Sequence, residues 1–224
     1  MFLGLRDLRS PQEGQDHEAG KARKGEGTGL KENHLRLFVA VPLPPLLKEE
    51  IGKVLDRLRQ GAGGVRWVRA ENVHITLKFL GNVPGEKVRE VAQAMRRAAE
   101  GHAPFEIEIR GAGGFPTDRS PRVLWIGIGD ERGGLFELYR DLQKELSPLG
   151  FPPEEREFRP HLTLGRVKAD KDKKRVSLLL EEIKGREFGR MEVKELILYE
   201  SRLKPSGAEY HDLERAALGG SNPH

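Results

Sequence analysis

An α+β fold of two similar lobes is the architecture this 224-residue sequence predicts. Three observations predict it. Apolar residues recur at helical spacing in four stretches, and strand-like runs flank them. The order strand, helix, strand beginning with histidine, helix, strand occurs twice, with the two histidines at 74 and 161. Connections are short and the edges read as antiparallel, which favours mainly antiparallel sheets over a doubly wound parallel one. Each lobe should carry its helices on an outer face, with a pseudo-two-fold axis and a central cleft between lobes.

Order begins abruptly. Residues 1–34 hold six glycines, few large apolar residues after Leu8 and no sustained period; they read as a flexible extension, or as sequence upstream of the true start. Leu35–Val41 is a strand closed by Pro42 and Pro44-Pro45. Leu47, Ile51, Val54, Leu55 and Leu58 mark a helix over 45–60, which the Gly61–Gly64 cluster ends. A short strand at 65–68 leads to a second at 74–80, stopped by Gly81 and Pro84. Val88, Val91, Ala92, Met95 and Ala99 mark the next helix. Phe105, Ile107 and Ile109 alternate with Glu106, Glu108 and Arg110, as in a half-buried strand, and 111–116 reads as a loop. Val123–Ile128 is a strand, and the leucines from 135 to 149 form the most regular helix. After the Pro-rich stretch 150–160 come a strand at 161–167, a helix near 172–184, and strands near 188–193, 195–202 and 209–215. The domain assignment is a single bilobal domain over 35–215 and a flexible tail over 216–224.

Composition removes whole classes of chemistry. Cysteine is absent, which excludes disulfide scaffolds, thiolate metal sites and a cysteine nucleophile. No apolar run approaches the roughly 20 residues of a membrane helix, and the first residues lack the apolar core of a secretory signal. The expected location is the cytoplasm, with no membrane partner. Lys and Arg number 39 against 35 Asp and Glu, and the surplus lies in residues 35–224, which allows a polyanionic partner without requiring one. Phosphate-loop, dinucleotide and serine-hydrolase motifs are missing.

What stands out is a repeated tetrapeptide, His74-Ile75-Thr76-Leu77 and His161-Leu162-Thr163-Leu164. Random placement of 7 histidines, 4 threonines and 29 leucines gives two such matches about once in 10⁴ sequences. On a strand, positions i and i+2 project together, so each motif offers an imidazole beside a hydroxyl while Ile75, Leu77, Leu162 and Leu164 enter the core. Two histidines on either side of one phosphorus suit in-line displacement at a phosphodiester: one takes a proton and the other gives one. Threonine hydroxyls can donate to the non-bridging oxygens. Lys78 follows on the same alternation and reads as solvated, with substrate phosphate as the alternative. Two histidines leave a zinc site short of strong ligands, and neither His-x-His nor His-Glu-x-x-His occurs, so no metal or other cofactor is expected. The other five histidines read as solvated.

These motifs, with Leu35–Pro42 upstream and the stretches Arg66-Trp67-Val68, His74–Gly81, Arg122–Trp125 and Phe158–Arg166, resemble the two-histidine (2H) phosphoesterase superfamily. Within it the match is to the RNA 2′,3′-cyclic phosphodiesterases, also called 2′-5′ RNA ligases (LigT-like), over about residues 35–213. The resemblance implies a bilobal fold, metal-independent catalysis, His74 as proton donor and His161 as proton acceptor, with Thr76 and Thr163 on the phosphate. The substrate would be RNA with 2′,3′-cyclic phosphate ends, tRNA fragments included, opened to a 2′-phosphate by a monomeric enzyme and joined through a 2′-5′ bond in reverse. It also implies substrate contacts from Arg166 and Phe38. In an unbroken strand Arg166 lies on the face opposite His161, so its contact needs a bend near Gly165 or a side chain that wraps round the strand end; a surface ion pair is the alternative. Phe38 could stack on a base or simply be core. Two other functions fit the same residues: hydrolysis of a small cyclic nucleotide or 2′-5′ oligonucleotide, and RNA binding without catalysis.

Overall fold

The computed structural model describes residues 33–168, 173–205 and 207–219. Most of the expected extension, residues 1–32, and most of the expected tail, 220–224, lie outside the described residues.

The strands are β1 (His34–Pro42), β2 (Val65–Trp67), β3 (His74–Pro84), β4 (Phe105–Phe115), β5 (Val123–Gly129), β6 (His161–Val167), β7 (Glu187–Val193), β8 (Glu195–Lys204) and β9 (Gly207–Ala217). Between them lie α1 (Pro45–Gly61), α2 (Val88–Glu100), α3 (Gly134–Leu146) and α4 (Lys173–Ile183). The segment 111–116, expected as a loop, instead lengthens β4 through Phe115. Its glycines are there for room: a Cβ at Gly113 would run into the Trp125 indole on the neighbouring strand. At the other end β9 reaches Ala217 and Leu218 is buried, a little past the boundary drawn from the sequence.

The helices form where the sequence says and for ordinary reasons. Pro45 opens α1 at a position that needs no N–H donor, and Leu47, Ile51, Val54, Leu55 and Leu58 make its buried stripe. At the start of α3 the Asp130 carboxylate accepts from the Leu135 and Phe136 amides, 2.9 and 3.2 Å away. Each fully buried Leu or Ile on these stripes stabilises by about 1.5–3 kcal/mol relative to exposure.

All strand pairs are antiparallel, in the order β7-β4-β5-β6-β3-β1-β8-β9, with β2 also paired to β6. The order is palindromic in kind: β6-β5-β4-β7 mirrors β3-β1-β8-β9. Each lobe is therefore a four-stranded antiparallel sheet, and the two join edge to edge into one continuous sheet. Helices cross over between the halves of the chain. From the first half, α1 packs on α4, β2 and β7; from the second half, α3 packs on α2 and β3. One hydrophobic core runs under both lobes. A second, small cluster of Phe38, Ala40, Ile197 and Tyr199 lies on the opposite face of β1 and β8, with Tyr210 packed against it. β1 is thus buried on both faces, Leu37, Val39 and Val41 on one and Phe38 and Ala40 on the other.

Candidate active site

The seam between lobes is where the two tetrapeptides meet. Ile75 and Leu162 are direct partners across β3 and β6, and both are completely buried. Continuing that antiparallel register by one residue sets His74 beside Thr163 and His161 beside Thr76, all on the face away from the core. The imidazoles are near enough for charge on His161 to act on His74. The two motifs therefore form one site, built around the junction.

Both rings are anchored in the same way. His74 Nδ1 lies 2.7 Å from the Asn72 carbonyl and His161 Nδ1 2.7 Å from the Arg159 carbonyl, in each case two residues back. A carbonyl oxygen only accepts, so each Nδ1 carries the hydrogen and each Nε2 is left for chemistry. Asn72 is itself held, its side chain donating to the Ala208 carbonyl at 2.7 Å. Thr76 Oγ1 lies 3.0 Å from His74 Nε2 and donates to it while the ring is neutral.

The environments of the rings differ. Phe38 lies against His74 with centroids 4.8 Å apart, Tyr210 meets it edge-on at 5.3 Å and Tyr199 lies 6.1 Å away. This shielding from water pushes His74 down to about 4, with repulsion from Lys48 and His161 adding to the effect. Lys48 lines a recess of about 730 Å3 beside His74, together with Tyr199, Tyr210, Asp212 and Arg215. His161 has the edge of Phe115 at 5.2 Å, and burial followed by repulsion from Arg166 lowers its pKa as well. Burial also pushes Tyr199 up to about 12 and raises Tyr210, so both phenols stay protonated near neutrality.

Strand alternation breaks at the same place in both motifs. On β3, Thr76 pairs with Ala40 and Lys78 with Val39, so Leu77 is an extra residue; on β6, Thr163 pairs with Trp125 and Gly165 with Leu124, so Leu164 is extra. Each bulge reverses which face the following residues occupy. Lys78, expected to be solvated or to face phosphate, is only 4% exposed on the core side. There it donates to Gln143 Oε1 at 2.7 Å and to the Pro152 carbonyl at 2.6 Å. Arg166 turns outward on the side of His161 and Thr163, through the bulge that precedes Gly165. Phe79, the fifth residue after His74 as Arg166 is after His161, stands 62% exposed on the site face.

Phe38 is core, one of the two readings the sequence left open. It is 3% exposed beneath His74, with no free face for a base, because β8 and β9 curl over it. Phe79, 6.0 Å from Phe38, is the aromatic that reaches solvent there. Sequence reasoning missed Phe79, Tyr199 and Tyr210; the adjacent apolar pair Phe79-Leu80 was the available sign of a changed phase. His102, expected to be solvated, is half-buried and donates from Nε2 to Asp141 at 3.0 Å. Among the described residues there is no group of three or more His, Asp or Glu arranged to hold a metal ion.

Comparison with known proteins gives one consistent picture. A family model described as LigT like Phosphoesterase matches twice, over residues 41–125 and 126–210. An RNA 2′,3′-cyclic phosphodiesterase of Methanothermobacter thermautotrophicus is 39% identical over 180 residues, 80% of this chain and 97% of its own. A protein of the same name from Methanocaldococcus jannaschii is 39% identical over 176 residues, 79% of this chain and 96% of its own. Among solved structures, TT0787 of Thermus thermophilus superposes with a TM-score of 0.71 at 30% identity, covering 84% of this chain and all of its own. E. coli LigT complexed with 3′-AMP follows at 0.65 and 29% identity, covering 83% and 99%.

Proposed function

The chain belongs to the LigT-like phosphoesterase family, and from that premise we propose that it opens 2′,3′-cyclic phosphates at RNA 3′ ends, leaving 2′-phosphomonoesters, with no metal in the chemistry. The observation that carries the reading is the pair of imidazoles across the Ile75–Leu162 seam, each with Nδ1 tied to a main-chain carbonyl and Nε2 turned away from it, that of His74 towards the Thr76 hydroxyl.

Neutral His161 takes a proton from water through Nε2 as the water oxygen bonds to phosphorus. The bond from phosphorus to O3′ breaks, and O3′ receives the proton held on His74 Nε2. Thr76 and Thr163 donate to the non-bridging oxygens, where charge develops. Arg166 adds a positive charge on the same face. Phe79, open to solvent, gives the terminal base a surface to stack on, and buried Phe38 backs the His74 ring.

The lowered pKa of His74 fits the proton donor once substrate is counted. In the empty site the ring is neutral near pH 7. A bound phosphate brings negative charge to the ring and favours the imidazolium, so the acid forms as substrate arrives. The same displacement joins ends through a 2′-5′ bond when an RNA 5′-hydroxyl replaces water: its oxygen bonds to phosphorus, its proton goes to His161, and O3′ leaves with the proton of His74. The reading extends to a cytoplasmic monomer acting on RNA ends such as those of tRNA fragments. None of the described helices is long and apolar enough to cross a membrane.

The deciding experiment is incubation of RNA ending in a 2′,3′-cyclic phosphate with the protein in excess EDTA, followed by identification of the monoester. A 2′-phosphate is expected. A 3′-phosphate, loss of turnover under chelation, or RNA binding without turnover each overturns the mechanism.

A further inference from the structure

Among the described residues most arginines have a carboxylate partner, but two that lie side by side have none. Arg66 on β2 is the direct cross-strand partner of Arg166 on β6. Their neighbours Val65 and Val167 face the core, so both guanidinium groups project on the side of His161 and Thr163. Both are exposed, and among the described residues neither has an ion pair or a side-chain hydrogen bond. Two like charges directly opposite each other on paired strands repel. The fold nevertheless brings them together closely: a Cβ at Gly165 would lie 2.7 Å from Val65 Cγ1 and 3.1 Å from the Arg66 carbonyl, so the approach of β2 to β6 depends on glycine there.

We propose that Arg66, beside Arg166, binds the phosphodiester that links the terminal nucleotide to the rest of the RNA, so that the protein takes polynucleotide ends in preference to free cyclic mononucleotides. The proposal rests on the cyclic-phosphate reading above and extends it outward. The site has two exits with opposite chemistry. Beyond Thr76 the bulge presents an exposed phenyl ring; beyond Thr163 it presents guanidinium groups. A terminal nucleotide has two parts to place once its phosphate sits between the histidines, a base and the backbone leading away. The ring suits the base and the arginine pair suits the next phosphate. Arg166 lies three residues past Thr163, a span of roughly 7–10 Å along a bulged strand, which is on the scale of one nucleotide step. A cyclic mononucleotide has no second phosphate and leaves the pair without an anion.

The test uses unreactive RNAs ending in a 2′-phosphate, one, two and four nucleotides long. Their affinities are measured for the wild-type protein, Arg66→Gln, Arg66→Lys, and Arg89→Gln on α2 as a control for general charge. The expected result is roughly tenfold tighter binding from one nucleotide to two in the wild type. Most of that step should be lost in Arg66→Gln, partly restored in Arg66→Lys and kept in Arg89→Gln, and the salt slope should fall by about 0.7 in Arg66→Gln. The melting temperature of Arg66→Gln should not fall, because a repulsion has been relieved. Equal wild-type affinity for one and two nucleotides, equal weakening at both lengths, or a lower melting temperature in Arg66→Gln overturns the proposal. Turnover of cyclic phosphates is followed separately; if none is opened the catalytic reading fails, and the length step still decides the role of Arg66.

Discussion

The strands β3 and β6 are two copies of one device, and their agreements and differences separate what catalysis needs twice from what it needs once. Both begin with a histidine tied to the carbonyl two residues back, both place a threonine beside it, and both bulge at the following leucine. They part company afterwards. The residue after the bulge is a buried lysine in one and a close-packed glycine in the other. The residue next along is an exposed phenylalanine in one and an exposed arginine in the other. The rings also differ in shelter, since three aromatic side chains wall His74 where His161 meets the edge of Phe115. In the proposed mechanism the repeat supplies a matched pair of proton carriers. Divergence makes one ring easier to charge than the other and gives the cleft an aromatic end and a cationic end.

Four measurements test that division, beginning with the largest effect. Replacing either histidine by alanine should lower the rate of cyclic-phosphate opening by about 10³-fold, and the double variant should be little worse, because acid and base act in one step. A single variant that keeps most of its rate would show that the copies do not share the work.

The second measurement is of stability against pH. The folded pKa of His74 lies near 4, below the 6.5 of an unfolded histidine, so between those values the unfolded chain holds more protons. Stability from this site is therefore complete above pH 6.5 and is lost as pH falls towards 4, by up to about 3 kcal/mol. Denaturant titrations should show that loss in the wild type and much less of it in His74→Asn. His161, lowered in the same direction, contributes with the same sign. In steady-state kinetics the alkaline limb of kcat should lie above that of kcat/KM, because bound phosphate raises His74; coincident limbs would remove this account of the acid.

The smallest effects concern the two exits. Phe79→Ala and Arg166→Gln should each raise KM for an RNA end roughly tenfold, but only the arginine variant should flatten the dependence on salt. Equal salt dependence in the two variants would erase the distinction between aromatic and cationic ends.

Much of this was legible in the sequence. Period-2 and period-3.6 patterns located the strands and helices, and the repeated His-x-Thr-Leu marked the two residues that the seam brings together. The misreading of Lys78 and the oversight of Phe79 have one physical source, which is that a bulge leaves little trace in an apolar pattern. Leu77 is buried whether or not the strand is regular, so the alternation carried Lys78 to the wrong face and hid Phe79 in the core. At Gly165 the required bend was readable because an arginine had to be explained. The pairing of Arg66 with Arg166 and the arrival of Tyr210 over His74 depend on register and sheet curl between distant segments, which local pattern does not encode.

The carbonyls behind His74 and His161 carry a consequence for the whole catalytic cycle. With each inner nitrogen held by the main chain, only the outer nitrogen is left to exchange protons, and in the proposed mechanism the two rings finish a turnover with their charges interchanged. In that mechanism the product state is the starting state of the reverse reaction. Until a proton is returned through solvent, the protein is poised to remake the bond it has just broken, and hydrolysis prevails by release of the product.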